Sequence, residues 1–291
     1  MFRITTTRAL ARVALFVLAL AGAGFVQAGA ATLESAAQKL GQGSLRAYAT
    51  LGADGAPTAI GIRLDAAALR GLPARKNRTS RCADLDGDGE IAASGECEGD
   101  YERRLALPAE AAGRADIPFG WVMVNWNPEG HPPEPWLPPH FDIHFYQVSE
   151  SQVDEIRVGP CGIFMHCEDF QIAIRPVPAK FVHPEHVNVE AAVGRMGNHL
   201  IDSKTPEFGK PPKPFTHTWI YGAWDGRIIF HEVMLTGAFL AEGPAETCNQ
   251  IKQPAAWRVA GYYPTRYCIR RTTADKAHTI SLEGFRRRQA E

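Results

Sequence analysis

Histidines and acids stand at two-residue spacing among aromatic residues in two segments, HFDIHFY (His140 to Tyr146) and FTHTWIYGAWDGRIIFHEVMLT (Phe215 to Thr236). A strand sends alternate side chains to opposite faces, so this spacing gathers nitrogen and oxygen donors against a largely apolar surface. The chemistry such donors support is coordination of a divalent transition metal. Along a strand, His140 and Asp142, or Asp142 and His144, are ~6.6 Å apart, within reach of one ion. His140 and His144 are ~13 Å apart if the strand is straight, which favours one histidine as ligand, with Asp142 as a ligand or as the group that orients an imidazole. The competing reading is a polar sheet face in water.

The second segment turns at Asp225-Gly226, a pair suited to a two-residue hairpin. Uniform pairing outward from that turn sets Tyr221 opposite Phe230, Trp219 opposite Glu232 and His217 opposite Met234, all on one face. Glu232 is then an acid on a large apolar face, and a buried acid needs a charged partner, hydrogen bonds or a metal. His217, diagonally across the hairpin, is a candidate to share its ion; pairing of Glu232 with Arg or Lys is the alternative. Met196-Gly197-Asn198-His199 adds His199, expected on a tight connection. The candidate metal set is therefore His140, Asp142, His144, His199, His217 and Glu232, with the identity of the metal open.

A second cation motif is Asp84-Leu85-Asp86-Gly87-Asp88-Gly89-Glu90-Ile91. Acids at loop positions one, three and five, Gly at six and an apolar residue at eight match a calcium loop. Gly95 occupies position twelve, where a bidentate Glu is expected, and Glu96 falls one place late. Asp84, Asp86, Asp88 and Glu90 are the candidate ligands of a weak calcium site. An acidic turn pinned by cysteines is the alternative. Nucleophilic catalysis has no support: there is no Gly-x-Ser-x-Gly elbow and no phosphate-binding glycine loop.

The elements that must position these residues follow an expected leader. Arg3, Arg8 and Arg12 precede an apolar run from Val13 to Val26, and Val26-Gln27-Ala28 and Ala28-Gly29-Ala30 suit signal peptidase, so residues 1–30 read as a signal peptide. The chain is expected in the periplasm or secreted, with no later membrane span. Six cysteines in an exported chain favour disulfides. Short loops close at the lowest entropic cost, which favours Cys82 with Cys97, Cys161 with Cys167 and Cys248 with Cys268. The 31 basic and 32 acidic residues balance, and no basic run with interleaved aromatics suggests nucleic acid.

Residues 31–80 read as a strand-rich N-terminal segment, 81–245 as the main β domain and 246–291 as an extension packed on it. Within these, Leu33–Leu45 is expected as a short helix or arm, Leu45–Thr50 and Pro57–Ile62 as a hairpin, and Leu64–Leu72 as a helical turn or two. Ser149–Ile156 carries a capping-box pattern, and residues 161–178 read as further strands and connections. The fold class is mainly β, an antiparallel barrel or sandwich with short helices.

Pro139-His140-Phe141-Asp142 through Tyr146, Met196-Gly197 with His199, Phe215-Thr216-His217-Thr218 through Gly222, and Glu232 with Met234 together resemble an exported bacterial family of unknown function, named after a Thermus thermophilus secreted protein. The resemblance takes in the Asp-rich loop and runs from about Cys82 to Leu240; Val233 departs from it, standing where proline is expected. It implies a β fold and export, and supplies no mechanism. Two functions follow as expectations: a metal-binding envelope protein, or a non-catalytic structural protein whose aromatic and histidine face forms core or a homo-oligomer interface.

Overall fold

A computed structural model describes Met1 and residues 30–92, 96, 97 and 99–291. Apart from Met1 and Ala30 the expected signal peptide lies outside the described residues, as does Gly95. In chain order the strands are β1 (Ala31–Glu34), β2 (Gln38–Leu40), β3 (Gly43–Leu51), β4 (Pro57–Leu64), β5 (Tyr101–Ala106), β6 (Trp121–Asn127), β7 (His140–Tyr146), β8 (His186–Val193), β9 (Gly197–Asp202), β10 (His217–Trp224), β11 (Arg227–Thr236), β12 (Glu246–Gln250), β13 (Gly261–Tyr263), β14 (Arg266–Arg271), β15 (His278–Glu283) and β16 (Arg286–Arg288). Four short helices join them: α1 (Ala109–Ala112), α2 (Glu150–Asp154), α3 (Cys167–Ala173) and α4 (Gly237–Glu242).

One sheet runs β1-β3-β4-β15-β14-β12, with β2 also on β3; the other runs β5-β6-β7-β11-β10-β9-β8. Neither closes into a barrel, and the arrangement is a sandwich. Residues 31–80 and 246–291 meet in the first sheet, because β4 pairs with β15. The largest hydrophobic cluster draws on both sheets, with Ala47, Ile60, Ile62 and Ile280 from one and Phe141, Ile143, Phe145 and Val233 from the other. Phe141, Ile143 and Phe145 share one face of β7, as period-two alternation predicts, which leaves His140, Asp142, His144 and Tyr146 on the face turned away from that core.

Local readings divide by how much tertiary pairing decides them. The hairpin of β3 and β4 and the turn at Asp225-Gly226 form as expected. Ser149 caps α2, its hydroxyl accepting from the Gln152 N–H while the Gln152 side chain accepts from the Ser149 N–H. Leu33–Leu45 is not helical: β1 and β2 both pair with β3, and that cross-strand pairing overrides the helix propensity of its alanines. Leu64–Leu72 turns without a helix, with Asp65 accepting from the Ser44 and Ala67 N–H groups. Residues 161–178 hold α3 rather than strands, with Glu168 and Asp169 in its first turn, where acids oppose the helix dipole.

The three expected disulfides are present, Cys82–Cys97, Cys161–Cys167 and Cys248–Cys268. Disulfides of this number are typical of extracellular proteins, and no helix among the described residues is long and apolar enough to cross a membrane.

Glu283 on β15 ties the first sheet to pH. Burial opposes its charge, but hydrogen bonds from Arg270 and Ser281 and the charges of Arg270 and Arg266 outweigh that and hold its pKa below the ordinary glutamate value. A depressed folded-state pKa contributes stability that is present above the unfolded value of ~4.3 and lost as pH falls through the folded one. Urea unfolding at pH 7 and pH 3.5 should therefore show a smaller acid loss for Glu283→Gln than for wild type. Equal losses would remove Glu283 from the acid response.

Candidate metal centre

The site depends on the register of β10 and β11. Pairing runs uniformly from the turn only as far as Ala223 opposite Ile228; Gly222 then faces Phe230, which leaves Ile229 as an extra residue on β11. This bulge moves every later partner by one position. Ile220, not Trp219, lies opposite Glu232, and Thr218, not His217, lies opposite Met234. His217, Trp219 and Tyr221 accordingly share the face turned to the sandwich core. His217 leaves the candidate set: its Nδ1 is 2.9 Å from the Tyr267 hydroxyl and its ring packs on Phe239.

The outer face gathers the remaining candidates into two groups, and within each the ligand-type atoms lie within 4.8 Å of one another. The first is His144, His199 and Glu232, from three different strands. His144 and Glu232 are direct cross-strand partners on β7 and β11. His199 is not on a loop as expected but inside β9, opposite Gly222. The Glu232 Oε2 atom lies 3.5 Å from His144 Nε2 and 3.7 Å from His199 Nε2. Donors bonded to one tetrahedral ion at ~2.0–2.1 Å sit ~3.4 Å apart, so these separations suit a shared cation after a small contraction.

Hydrogen bonding in this group points the same way. His199 Nδ1 donates to the Ala191 carbonyl at 2.9 Å, which assigns its lone pair to Nε2, the nitrogen on the Glu232 side. Both nitrogens of His144, fully buried, and Oε2 of Glu232, 1% exposed, make no hydrogen bond. An unsatisfied buried polar group costs about 1–3 kcal/mol, and two of these atoms, His144 Nε2 and Glu232 Oε2, lie together with His199 Nε2, which marks a place for a ligand. Burial, then the negative charge of Asp142, pushes the Glu232 pKa well above its usual value. Burial, then the neighbouring His199, pulls His144 down to about 3. Among the described residues no arginine or lysine forms an ion pair with Glu232.

The second group is His131, His140 and Asp142. His131 Nδ1 donates to the Pro132 carbonyl at 2.8 Å and His140 Nδ1 to the Pro138 carbonyl at 2.7 Å. Their Nε2 atoms face opposite oxygens of Asp142, each at 3.2 Å. A neutral imidazole has only one N–H, so acceptors at both nitrogens call for a second proton or a metal cation between ring and carboxylate. Asn127 donates to Asp142 at 2.7 Å, and the two histidines hold its pKa well below the usual value despite its burial. His131 was not among the residues singled out. It lies in the proline-rich return between β6 and β7, and antiparallel pairing of those strands folds that return back over His140.

Asp142, Glu232, His131 and His199 line one cleft of about 570 Å³ on the outer face of the second sheet. A third group of donors, Asp84, Asp86 and Glu96, sits in the acidic loop. Asp84 accepts from the Gly87 and Gly89 N–H groups, and Glu96 from those of Leu85, Asp86 and Ala92. Those hydrogen bonds hold the Glu96 pKa low. Glu96 thus takes the closing place that Gly95 leaves empty of a carboxylate. Asp88, which accepts from the Glu90 N–H, and Glu90 stay outside that group.

No protein-family model, curated protein or solved structure matches the chain.

Gly222 is the position on which the first group turns. A Cβ there would stand 1.9 Å from the Phe230 ring, which lies over the glycine and contacts His144 and His199 edge-on at 4.9 and 5.2 Å between centroids. Gly222→Ala should displace that ring, cost about 1–3 kcal/mol in urea unfolding, and disorder both imidazoles. Unchanged stability together with unchanged histidine NMR shifts would show that Phe230 does not brace them.

Proposed function

We propose that this chain is an exported β-sandwich protein that binds a divalent transition metal through His144, His199 and Glu232, with an open coordination position toward the cleft. The observation that carries the reading is the convergence of the unsatisfied buried atoms His144 Nε2 and Glu232 Oε2 with His199 Nε2 from a third strand, with no arginine or lysine among the described residues paired to the acid. Two imidazoles and one carboxylate are a donor set for zinc with a fourth position left to water or substrate, and for iron or manganese in wider geometry. Such an ion polarises an oxygen of a bound substrate or lowers the pKa of water. Glu232 then serves as ligand rather than as general base, and Asp142 is the nearest other carboxylate on the cleft floor. Export to the periplasm or the medium is supported by the leader pattern and by the three disulfides.

Protein purified without an affinity tag should carry stoichiometric transition metal by elemental analysis. His199→Ala and Glu232→Ala should each weaken zinc binding at least ~100-fold while retaining the wild-type circular dichroism. Zinc at 100 times the wild-type Kd should stabilise the wild type by about 2.7 kcal/mol and each variant by no more than about 0.4 kcal/mol. A metal-free protein that takes up no zinc and elutes as one large uniform oligomer would favour the assembly role instead.

The acidic loop is the second cation site of this reading, for calcium at a Kd of roughly 0.1–1 mM, the range of extracellular modules. Calorimetric titration of the oxidised protein with calcium should show that affinity, and Glu96→Ala should abolish it. No heat and no thermal shift in the wild type would leave the loop as an acidic turn held by Cys82–Cys97.

A further inference from the structure

We propose that the cleft takes a small amphiphile, an aromatic or branched aliphatic body carrying a carboxylate-like oxygen head, with the head completing the coordination of the ion at His144, His199 and Glu232. This rests on the metal reading above and adds the substrate class.

The polar groups of the cleft are segregated by depth. Asp142 and Glu232, 5% and 1% exposed, form its floor, flanked by His131 and His199. The walls between floor and mouth are apolar, led by Trp136, Met196, Ile201, Ile220 and Met234. Asp100, Asn127, Glu190 and Ser203 are the other polar lining residues, too few to match the hydroxyls of a sugar or the phosphates of a nucleotide. The volume, about 570 Å³, falls among pockets that enclose drug-sized molecules.

The mouth is largely apolar as well, with Glu190 as its exposed acid. Seven large hydrophobic side chains are exposed among the described residues, and three of them, Ile163, Val187 and Val189, line this cleft. Scattered exposed valines need no explanation, but a concentration at the rim of a cleft with a polar floor marks a surface that a ligand covers. The rim is also shaped locally. β8 bulges between Asn188 and Ala191, and Glu190 adopts φ +61°, its N–H held by the Asn188 side chain at 2.9 Å. Past the bulge Ala191 pairs with His199 and receives its Nδ1–H, so one irregularity sets both the apolar lip and the orientation of a floor histidine.

Charge selects the head. A divalent ion against one coordinating carboxylate leaves a local positive charge at the coordination position, which attracts an anionic oxygen, whereas without the ion the Asp142 carboxylate makes the floor repel it.

The test titrates zinc-loaded protein calorimetrically with sodium 4-phenylbutyrate and with sodium acetate, with the zinc content measured on the same sample. Phenylbutyrate should bind at least tenfold more tightly than acetate, and zinc-free protein should bind neither. In the triple variant Ile163→Ser, Val187→Ser, Val189→Ser, whose changes are all at exposed positions, the phenylbutyrate advantage should fall at least threefold, with acetate affinity and zinc content unchanged. Equal binding of the two acids by zinc-loaded protein, or an advantage that survives the triple variant, overturns the amphiphile inference and leaves the metal reading standing. Protein that takes up no zinc overturns both.

Discussion

A carboxyl group in the middle of a packed sheet is the constraint around which this molecule is arranged. Burying a charge without a partner is prohibitive, and the buried acids here solve the problem in two ways. Asp100 meets Arg81, Asp169 meets Arg157, Asp202 meets Lys252 and Glu283 meets Arg270, while Glu96 is wrapped in backbone N–H groups and Glu207 accepts from the Trp136 indole N–H. Glu232 and Asp142 are different: among the described residues they form ion pairs with imidazoles alone. Imidazoles do not oblige a carboxylate to stay charged as guanidinium does; they share a proton or an ion with it. That choice of partner separates a site from a structural ion pair.

The sandwich makes such a burial tolerable by using the same strands twice. Phe141, Ile143 and Phe145 of β7, with Val233 and Leu235 of β11, pack into the core between the sheets. The alternate residues, His140, Asp142, His144 and Glu232, face the cleft side. Both strands are central, with a hydrogen-bonded neighbour on either edge, so the backbone that carries these histidines and acids is fixed by the packing that stabilises the fold. A slip of one residue would move core side chains into the cleft and the polar set into the core. The hydrophobic effect therefore enforces the register that the site needs.

How far this was legible in the sequence follows from the range of the interactions involved. Period-two alternation is local, so HFDIHFY disclosed both its core face and its site face. Short loops disclosed the disulfides, and Asp225-Gly226 disclosed the hairpin turn. The bulge at Ile229 inserts one residue that Ile229 itself does not announce, so the faces of β10 were assigned one position out and His217 was grouped with Glu232. Gly222 carried a usable signal: a glycine inside an aromatic strand often marks a bulge or a close approach, and here both occur. His131 was hidden for another reason, since only the folded-back return between β6 and β7 brings it to Asp142. Glu96 reaches Asp84 because the Leu85, Asp86 and Ala92 N–H groups all donate to its carboxylate.

The two histidine groups belong to one electrostatic unit without forming one coordination sphere. Asp142 and His144 are alternate residues on a strand, ~6.6 Å apart along the backbone, whereas the ions of a bridged pair lie ~3.5–4 Å apart. No carboxylate is shared between the groups, so each holds its own proton or ion. They still communicate, because the charge on Asp142 is one of the two causes that raise the Glu232 pKa. Asp142 keeps its charge because His131 and His140 embrace it. The negative charge that the outer group holds therefore opposes charge on the inner acid, and His131, the most exposed member of either group, carries that coupled arrangement toward the solvent.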